Sequence, residues 1–232
     1  MTNDLIEARL TQVTERMARA AERAGRNPED TQILPVTKGH SKSAIESIMS
    51  LGLECVGENR VPEAEAKRAE LDDTSGLSWH LIGRLQRNKA RRAVRLFDVI
   101  ESVESLRLAE TLSRIVEEEG HEPIETLVQV NPSRETSKAG SSPEETVSTV
   151  RTICHLSGLK VTGLMTMAPF GADEVILRNV FRKTHKLLRQ CRDEIPDFEG
   201  RVLSMGMSSD FEIAVEEGST RVRLGTVILG ER

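Results

Sequence analysis

Eight strand-like segments alternate with helix-like segments along this chain, and the alternation restricts the folds that the sequence can adopt. The strand-like runs lie at 32–38, 53–58, 78–83, 98–102, 124–131, 159–167, 201–206 and 221–229. Helix-like runs lie between them at 41–51, 62–71, 87–96, 104–119, 143–156, 173–194 and 209–217, and a further helix is expected at 4–24. Strands separated by such helices are normally parallel, because a parallel pair needs a long crossover connection. Eight such units in 232 residues predict an α/β fold, a (β/α)8 TIM barrel with an extra N-terminal helix.

A doubly wound open sheet is the alternative arrangement of the same elements. It is disfavoured because no glycine-rich dinucleotide-binding turn follows the first strand. No linker-like or low-complexity segment divides the chain, so residues 1–232 are expected to form a single domain. The leading helix is expected to cover the flank of the barrel that a helix after the eighth strand would otherwise cover.

The composition argues against several classes of function. A net charge of -5, from 32 basic and 37 acidic residues, argues against a dedicated nucleic-acid or anionic-membrane binder. The three widely spaced cysteines, Cys55, Cys154 and Cys191, suit a reducing compartment and form no C-x-x-C metal motif. The sequence has no signal-peptide pattern. It also has no apolar run that approaches the length of about eighteen residues needed to span a membrane. We therefore expect a cytoplasmic protein, and one without a metal site, since its His, Asp and Glu residues are scattered.

Lys38 stands at the carboxyl end of the first predicted strand. In a barrel, functional residues collect at the carboxyl ends of the strands. A lysine amine that is partly desolvated there has a lowered pKa and can act as a nucleophile toward aldehydes. The competing interpretation is that Lys38 extends its stem to solvent, as most strand-end lysines do.

A second group of small and polar residues follows the last two strands. Ser208, Ser209 and Asp210 precede a predicted helix, where they either cap its first turn or offer a hydroxyl and free N–H groups to an anion. Gly225 lets a ligand approach the backbone closely, and Thr226 adds a second hydroxyl. Because barrels often bind phosphate at the loops after strands seven and eight, we expect a phosphate site here.

Arg223 lies two residues before Gly225, so strand alternation puts both on the same face. An arginine inside a barrel needs a partner, which is either a buried carboxylate or an acceptor on a ligand, such as the ring nitrogen of pyridoxal 5′-phosphate (PLP). Arg221 is the competing candidate on that face, but it sits earlier on the strand. The lysine, the phosphate site and the arginine together fit PLP, with Lys38 forming an imine with its aldehyde.

Three other residues are candidate contacts of this cofactor. Asn59, after the second strand, is expected to hydrogen-bond the ring hydroxyl. His80 either stacks near the cofactor or is a hydrogen-bonded histidine within its strand. Met165 either lines the top of the barrel and packs against the ring or only fills the core.

Seven segments spread over almost the whole chain match a known family. They are Val36–Lys38, Gly57–Asn59, Trp79–Lys89, Glu135–Gly140, Gly163–Pro169, Leu203–Ser208 and Gly218–Thr226. On these segments the chain resembles the PLP homeostasis protein family, the small single-domain relatives of the bacterial alanine racemase barrel. The resemblance implies a PLP-binding (β/α)8 barrel with Lys38 as the Schiff-base lysine. Two positions depart from the family pattern, since Arg60 stands where members often have Tyr and Thr37 where Ser is common.

The absence of tyrosine bears on whether such a protein is an enzyme. The resemblance implies that a racemase of this lineage uses the lysine and a tyrosine from a partner's second domain as its two bases. This chain has no tyrosine, and we expect no second domain. A cationic Arg223 at the ring nitrogen also weakens PLP as an electron sink. We therefore expect a monomeric PLP homeostasis protein, which stores and protects the cofactor as a lysine Schiff base and delivers it to apoenzymes.

Two enzyme activities remain as alternatives. A PLP-dependent alanine-type racemase of low activity, with His80 or a cysteine as the second base, predicts exchange of the α-hydrogen of alanine with solvent deuterium. A lysine-dependent aldolase on the same barrel predicts that borohydride traps a sugar phosphate on Lys38 instead of PLP.

Overall fold

Eight parallel strands form one sheet that closes into a barrel in the computed structural model, which describes residues 3–133, 135, 139–196 and 198–231. The strands are β1 (Gln32–Pro35), β2 (Cys55–Glu58), β3 (Ser78–Leu81), β4 (Val99–Val103), β5 (Ile124–Gln129), β6 (Leu159–Met165), β7 (Val202–Ser204) and β8 (Arg221–Leu224). They pair in the order β1-β8-β7-β6-β5-β4-β3-β2. A bridge between Val36 and Gly57 joins β1 to β2 and closes the ring. The predicted (β/α)8 fold is confirmed.

Helices pack around the outside of the sheet, most of them between successive strands, and local capping sets some of their ends. They are α1 (Asn3–Arg23), α2 (Lys42–Ser50), α3 (Val61–Glu70), α4 (Ala90–Leu96), α5 (Leu106–Glu119), α6 (Pro143–Cys154), α7 (Glu174–Glu194), α8 (Phe211–Glu216) and α9 (Thr226–Leu229). At the start of α7, the Asp173 side chain accepts a hydrogen bond from the N–H of Ile176 (2.9 Å). At the end of α5, Gly120 adopts the left-handed conformation that stops the helix (φ 66°).

The N-terminal helix α1 lies beside the last two helices of the chain, as the sequence predicts. It packs against α8 and α9, and Arg16 forms an ion pair with Glu212 at 2.9 Å. Because α9 has only four residues, α1 supplies most of the cover on this flank. Helices α1 and α7 are the longest, and no helix among the described residues is both long enough and apolar enough to span a bilayer.

The eighth predicted strand, 221–229, is wrong in its second half. Strand β8 ends at Leu224, and residues 226–229 form the single turn of α9. The run Thr226-Val227-Ile228-Leu229 is apolar and β-branched, which favours a strand locally, but a short apolar run does not distinguish a strand from a buried helical turn. The break at Gly225 therefore brings the beginning of a helix, rather than more strand, to the mouth of the barrel.

The barrel has an apolar core outside the sheet and a polar core inside it. Trp79, Leu81 and Phe181 are fully buried in the layer between strands and helices. Inside the ring, β4 carries a fully buried carboxylate, Glu101, and β8 carries the buried Arg221. Charged side chains inside a barrel must find partners, and Glu101 and Arg221 form an ion pair across the ring at 3.0 Å.

Candidate functional site

A cavity of about 600 Å³ opens at the carboxyl ends of the strands. Residues at or just beyond the end of every one of the eight strands contribute to its wall, as expected for the functional face of a barrel. The described lining residues are Val36, Lys38, His40, Asn59, Ile82, Gly83, Arg84, Glu104, Gln129, Ala139, Met167, Phe170, Met207, Ser208, Ser209, Arg223, Gly225 and Thr226. We refer to this space as the mouth cavity.

Lys38 lines the mouth cavity just beyond the isolated bridge at Val36 that follows β1. The residues around it are held by the backbone: the N–H of Thr37 donates to Gly57 O (3.0 Å), and the N–H of His40 donates to Thr37 O (3.0 Å). Gly39 has φ 75°, a conformation that glycine adopts without steric cost, and this lets the chain turn directly after the lysine. The turn ends the strand and leaves the Lys38 side chain facing the cavity.

The predicted phosphate residues lie together on the β7–β8 side of the mouth cavity. Ser208, Gly225 and Thr226 all line it, and the hydroxyl of Ser208 accepts a hydrogen bond from the N–H of Val227 (3.4 Å). The predicted side-chain cap at the start of α8 is not formed. The Asp210 carboxylate instead accepts a hydrogen bond from the N–H of Met207 (2.6 Å), which lies before the helix. The two serines therefore remain available to a ligand.

Gly225 gives a test of whether this wall fits an anionic ligand. A methyl group placed on Gly225 would meet no protein atom closer than 3.4 Å, which is ordinary van der Waals contact. Packing within the protein therefore does not require glycine at this position. The space beside Gly225 belongs to the mouth cavity, next to two hydroxyls and the start of α9, and this set of donors fits a phosphate.

Arg223 lies on the floor of the mouth cavity, and its side chain is fixed by neighbouring strands. Its Nη1 donates to the carbonyl oxygen (2.8 Å) and the hydroxyl (2.7 Å) of Ser204, and its Nη2 donates to the carbonyl oxygen of Thr166 (2.7 Å). These bonds to described residues leave part of the five-donor guanidinium for a ligand. Burial lowers the pKa of Arg223, although the carboxylates of Glu101 and Asp210 act in the opposite direction.

Glu101 connects the buried polar groups below the cavity. It accepts hydrogen bonds from Ser204 Oγ (2.6 Å) and Arg221 Nη1 (3.0 Å), and its Oε1 lies 2.9 Å from His80 Nδ1. Burial alone would raise the pKa of Glu101, but the hydrogen bond with His80 and the surrounding positive charges outweigh it and lower the pKa to about 2. Because Ser204 also bonds Arg223, this carboxylate supports the arginine that faces the cavity.

The structure brings six of the eight predicted site residues to the mouth cavity: Lys38, Asn59, Ser208, Arg223, Gly225 and Thr226. The other two lie outside its described lining. His80 is buried between Glu101 and Ser78, whose hydroxyl lies 3.2 Å from His80 Nε2. Met165 is fully buried, and Met167 lines the cavity in its place. The competing arginine, Arg221, is committed to Glu101 and is also absent from the described lining.

Several lining residues have no predicted role in binding the cofactor. Arg84 and Glu104 form an ion pair at 3.2 Å, and Glu104 lies across the mouth from Gly225 because β4 is four strands from β8 around the ring. Gln129 donates to Ala139 O (3.0 Å), and Phe170 is 94% exposed at the rim. Residues 136–138 of the matching segment 135–140 lie outside the described residues.

Comparison with known proteins shows the family to which the chain belongs. The sequence model of the family described as "Alanine racemase, N-terminal domain" matches residues 9–232. A protein of Aquifex aeolicus named "Pyridoxal phosphate homeostasis protein" is 37% identical over 97% of each chain. A protein of the same name from Escherichia coli K12 is 34% identical, over 96% of this chain and 95% of that protein.

Solved structures with the same fold include one with PLP bound. The structure of PipY from Synechococcus elongatus with PLP bound superposes with a TM-score of 0.82 and is 38% identical, covering 94% of this chain and 100% of that one. An alanine racemase of Clostridium difficile superposes with a TM-score of 0.79 at 15% identity, covering 99% of this chain and 57% of that one, which is a likeness of fold alone.

Proposed function

The chain belongs to the PLP homeostasis protein family, within the alanine racemase N-terminal domain family, and from this premise we propose that it binds PLP reversibly for storage, protection and delivery. The observation that carries the proposal is the meeting of Lys38, Arg223 and the Ser208 hydroxyl in one cavity. The relative solved with PLP bound supports the same ligand.

Each part of the ligand has a matching group in the mouth cavity. Bound PLP supplies an aldehyde, which condenses reversibly with an amine with loss of water, and an electron-withdrawing aromatic ring. We assign the aldehyde to Lys38 and the phosphate to Ser208, Gly225 and Thr226. Arg223 is assigned to the ring nitrogen, and Asn59 to the ring hydroxyl.

Arg223 also favours a carrier over a racemase. Its guanidinium stays cationic, so it donates to the ring nitrogen and opposes protonation of that nitrogen. A ring without this proton draws electrons less strongly from a substrate carbon, whereas binding and release of the aldehyde do not depend on it. The racemase alternative is therefore not favoured.

Purified protein is expected to take up one PLP per chain and to become yellow. Borohydride should bleach the visible band, and peptide mapping should find the modification on Lys38, because this is the one lysine among the described residues that line the mouth cavity. Protein that stays colourless in excess PLP would contradict the proposal. A trapped sugar phosphate on Lys38 would favour the aldolase alternative instead.

Loss of the Thr226 hydroxyl is expected to weaken PLP binding by roughly tenfold to a hundredfold, the value of a charge-assisted hydrogen bond. The variant Thr226→Val removes the hydroxyl with little change of shape, and Thr226→Ser is the matched control that keeps it. The affinity for pyridoxal, which lacks the phosphate, should change less than twofold or so in both variants. Equal losses of affinity for PLP and for pyridoxal would show that Thr226 does not contact the phosphate.

Delivery, location and assembly complete the proposal. We assign PLP-dependent apoenzymes as the recipients, the cytoplasm as the location, and a single domain of residues 1–232 acting as a monomer. The cavity opens at the end of the barrel, and this position supports transfer of PLP to another protein without unfolding of the barrel. Mixing the PLP-loaded protein with a PLP-free aminotransferase, and following the recovery of its activity against free PLP, tests delivery.

A further inference from the structure

A buried lysine lies behind the segment that follows β1 and carries Lys38. Lys67 is on α3, and only 8% of its side chain is exposed. Its Nζ donates to Thr37 O (2.7 Å), Glu58 Oε1 (2.6 Å) and Glu63 Oε1 (2.8 Å). An ammonium has three N–H groups, so this side chain is fully hydrogen-bonded. We call Thr37, Glu58, Glu63 and Lys67 the α3 clamp.

The α3 clamp holds the peptide groups on both sides of Lys38. On one side, Lys67 binds the carbonyl oxygen of Thr37. On the other side, the N–H of Gly39 donates to Glu63 Oε1. Glu63 and Lys67 are four residues apart on α3, which puts them on the same helix face, one turn from each other. The backbone of Lys38 is therefore tied to a helix at its two neighbouring residues.

Glu58 attaches the same cluster to β2. Its carboxylate accepts from the Thr37 hydroxyl (2.6 Å) as well as from Lys67, and its side chain is fully buried. Burial raises the pKa of Glu58, and the bonds from Lys67 and Thr37 oppose the rise. Burial also disfavours ionisation of Glu63, but the bonds from Lys67 and from the Gly39 N–H outweigh it and lower its pKa.

The α3 clamp touches Lys38 only from outside the cavity. Val36 and Lys38 line the mouth cavity, and the intervening Thr37 points to the other side of the sheet, as strand alternation requires. None of the four clamp residues is among the described lining of the cavity. The bonds from Glu63 and Lys67 therefore act on a ligand through the backbone segment that carries Lys38.

We propose that Glu58, Glu63 and Lys67 are positioning residues that fix Lys38 against the cavity and thereby set how long PLP is retained, an inference that rests on the proposed function. Rigid placement of a reacting group raises its effective concentration toward its partner. When the clamp is loosened, the amine spends less time within bonding distance of the aldehyde carbon. Release of PLP, in which water restores the free aldehyde and the free amine of Lys38, then becomes faster, while the phosphate and ring contacts are unchanged.

Two variants of Glu63 test the clamp with little risk to the fold, because 28% of this side chain is exposed. Glu63→Leu removes the acceptor of the Gly39 N–H and of Lys67, and we expect PLP to dissociate about tenfold faster. Glu63→Gln keeps an oxygen acceptor at the same place and should stay within about twofold of wild type. The rate is measured by transferring PLP-loaded protein into an excess of a PLP-trapping apoenzyme.

A ligand without the aldehyde separates positioning from general damage. Pyridoxine 5′-phosphate has a hydroxymethyl group in place of the aldehyde, so it uses the phosphate and ring contacts but forms no bond with Lys38. Its affinity should change by less than about twofold in Glu63→Leu. The variant Lys42→Met, which removes an exposed lysine that donates to Glu70 O, is the control for loss of a surface lysine and should resemble wild type.

The possible outcomes differ for the inference and for the proposed function. Unchanged PLP release in Glu63→Leu, or equal losses for PLP and pyridoxine 5′-phosphate, overturns the inference alone. Wild-type protein that takes up no PLP overturns the proposed function as well. Melting temperatures of the ligand-free variants show whether the fold is retained, and Lys67→Met, which leaves Glu58 buried without its cation, is expected to lower that temperature further than Glu63→Leu.

Discussion

Replacement of Lys38 by alanine is expected to weaken PLP binding by roughly a hundredfold or more, because the covalent attachment of the aldehyde is lost. The visible band that borohydride bleaches should disappear with it. Pyridoxine 5′-phosphate should bind the variant within about twofold of wild type, since the phosphate residues and Arg223 are untouched. Equilibrium titration with both ligands, followed by borohydride and peptide mapping, measures the two effects separately.

The control for this experiment is Lys42→Ala. Lys42 is four residues away on α2, where its Nζ lies 3.8 Å from Glu46 and it is not part of the described cavity lining. It should behave as wild type in colour and affinity. A Lys38→Ala protein that keeps the bleachable band, with the label on another lysine, would show that Lys38 is not the sole tether.

The helices were predictable wherever apolar residues recur at helical spacing over several turns. Helix α7 has apolar residues such as Leu177, Phe181 and Leu188 at helical spacing, and the predicted bounds of 173–194 differ from the observed bounds by one residue. The run after Gly225 was misread because four apolar residues carry too little periodicity to identify a helical turn. Its conformation is decided by packing against α1, which lies at the other end of the chain.

The cavity residues were predictable because they depend on local rules. Lys38 follows from its place at the end of a strand, and Arg223 and Gly225 follow from alternation along β8. How deep a side chain lies inside the barrel depends instead on the tilt and stagger of the strands, which no local pattern reveals. This is why His80 and Met165 were assigned to the cofactor, whereas both lie outside the described lining of the cavity.

The buried charges escaped prediction because their partners are far away in sequence. Ser204 is 103 residues from Glu101, and Arg221 is 120 residues from it. In the sequence, Glu101 stands in the middle of the mainly apolar run Val99–Val103. This position predicts a buried charge, but it does not identify the partners of that charge. The α3 clamp was also not predictable from local sequence, since Lys67 bonds Thr37, which is 30 residues away.

Removal of the Glu101 charge is expected to lower the free energy of unfolding by about 3–5 kcal/mol, because two buried arginines then lose their compensating carboxylate. Glu101→Gln preserves the shape and isolates the charge. Glu125→Gln on the adjacent β5 is the matched control, since this partly exposed glutamate accepts one bond from Thr162 (2.9 Å) and should cost no more than about 1 kcal/mol. Urea unfolding at neutral pH measures both differences.

The difference in unfolding free energy between wild type and Glu101→Gln is expected to depend on pH. The pKa of Glu101 is about 2 in the folded protein and 4.5 for an unperturbed glutamate. A lowered folded-state pKa means that the ionised carboxylate stabilises the fold fully above pH 4.5 and progressively less as the pH falls toward 2. The stability difference between wild type and Glu101→Gln should therefore be largest at neutral pH and shrink through this window. A difference that stays constant from pH 7 to pH 3 would mean that Glu101 has the same pKa in the folded and the unfolded protein, and that Arg221 and Arg223 do not stabilise its ionised form.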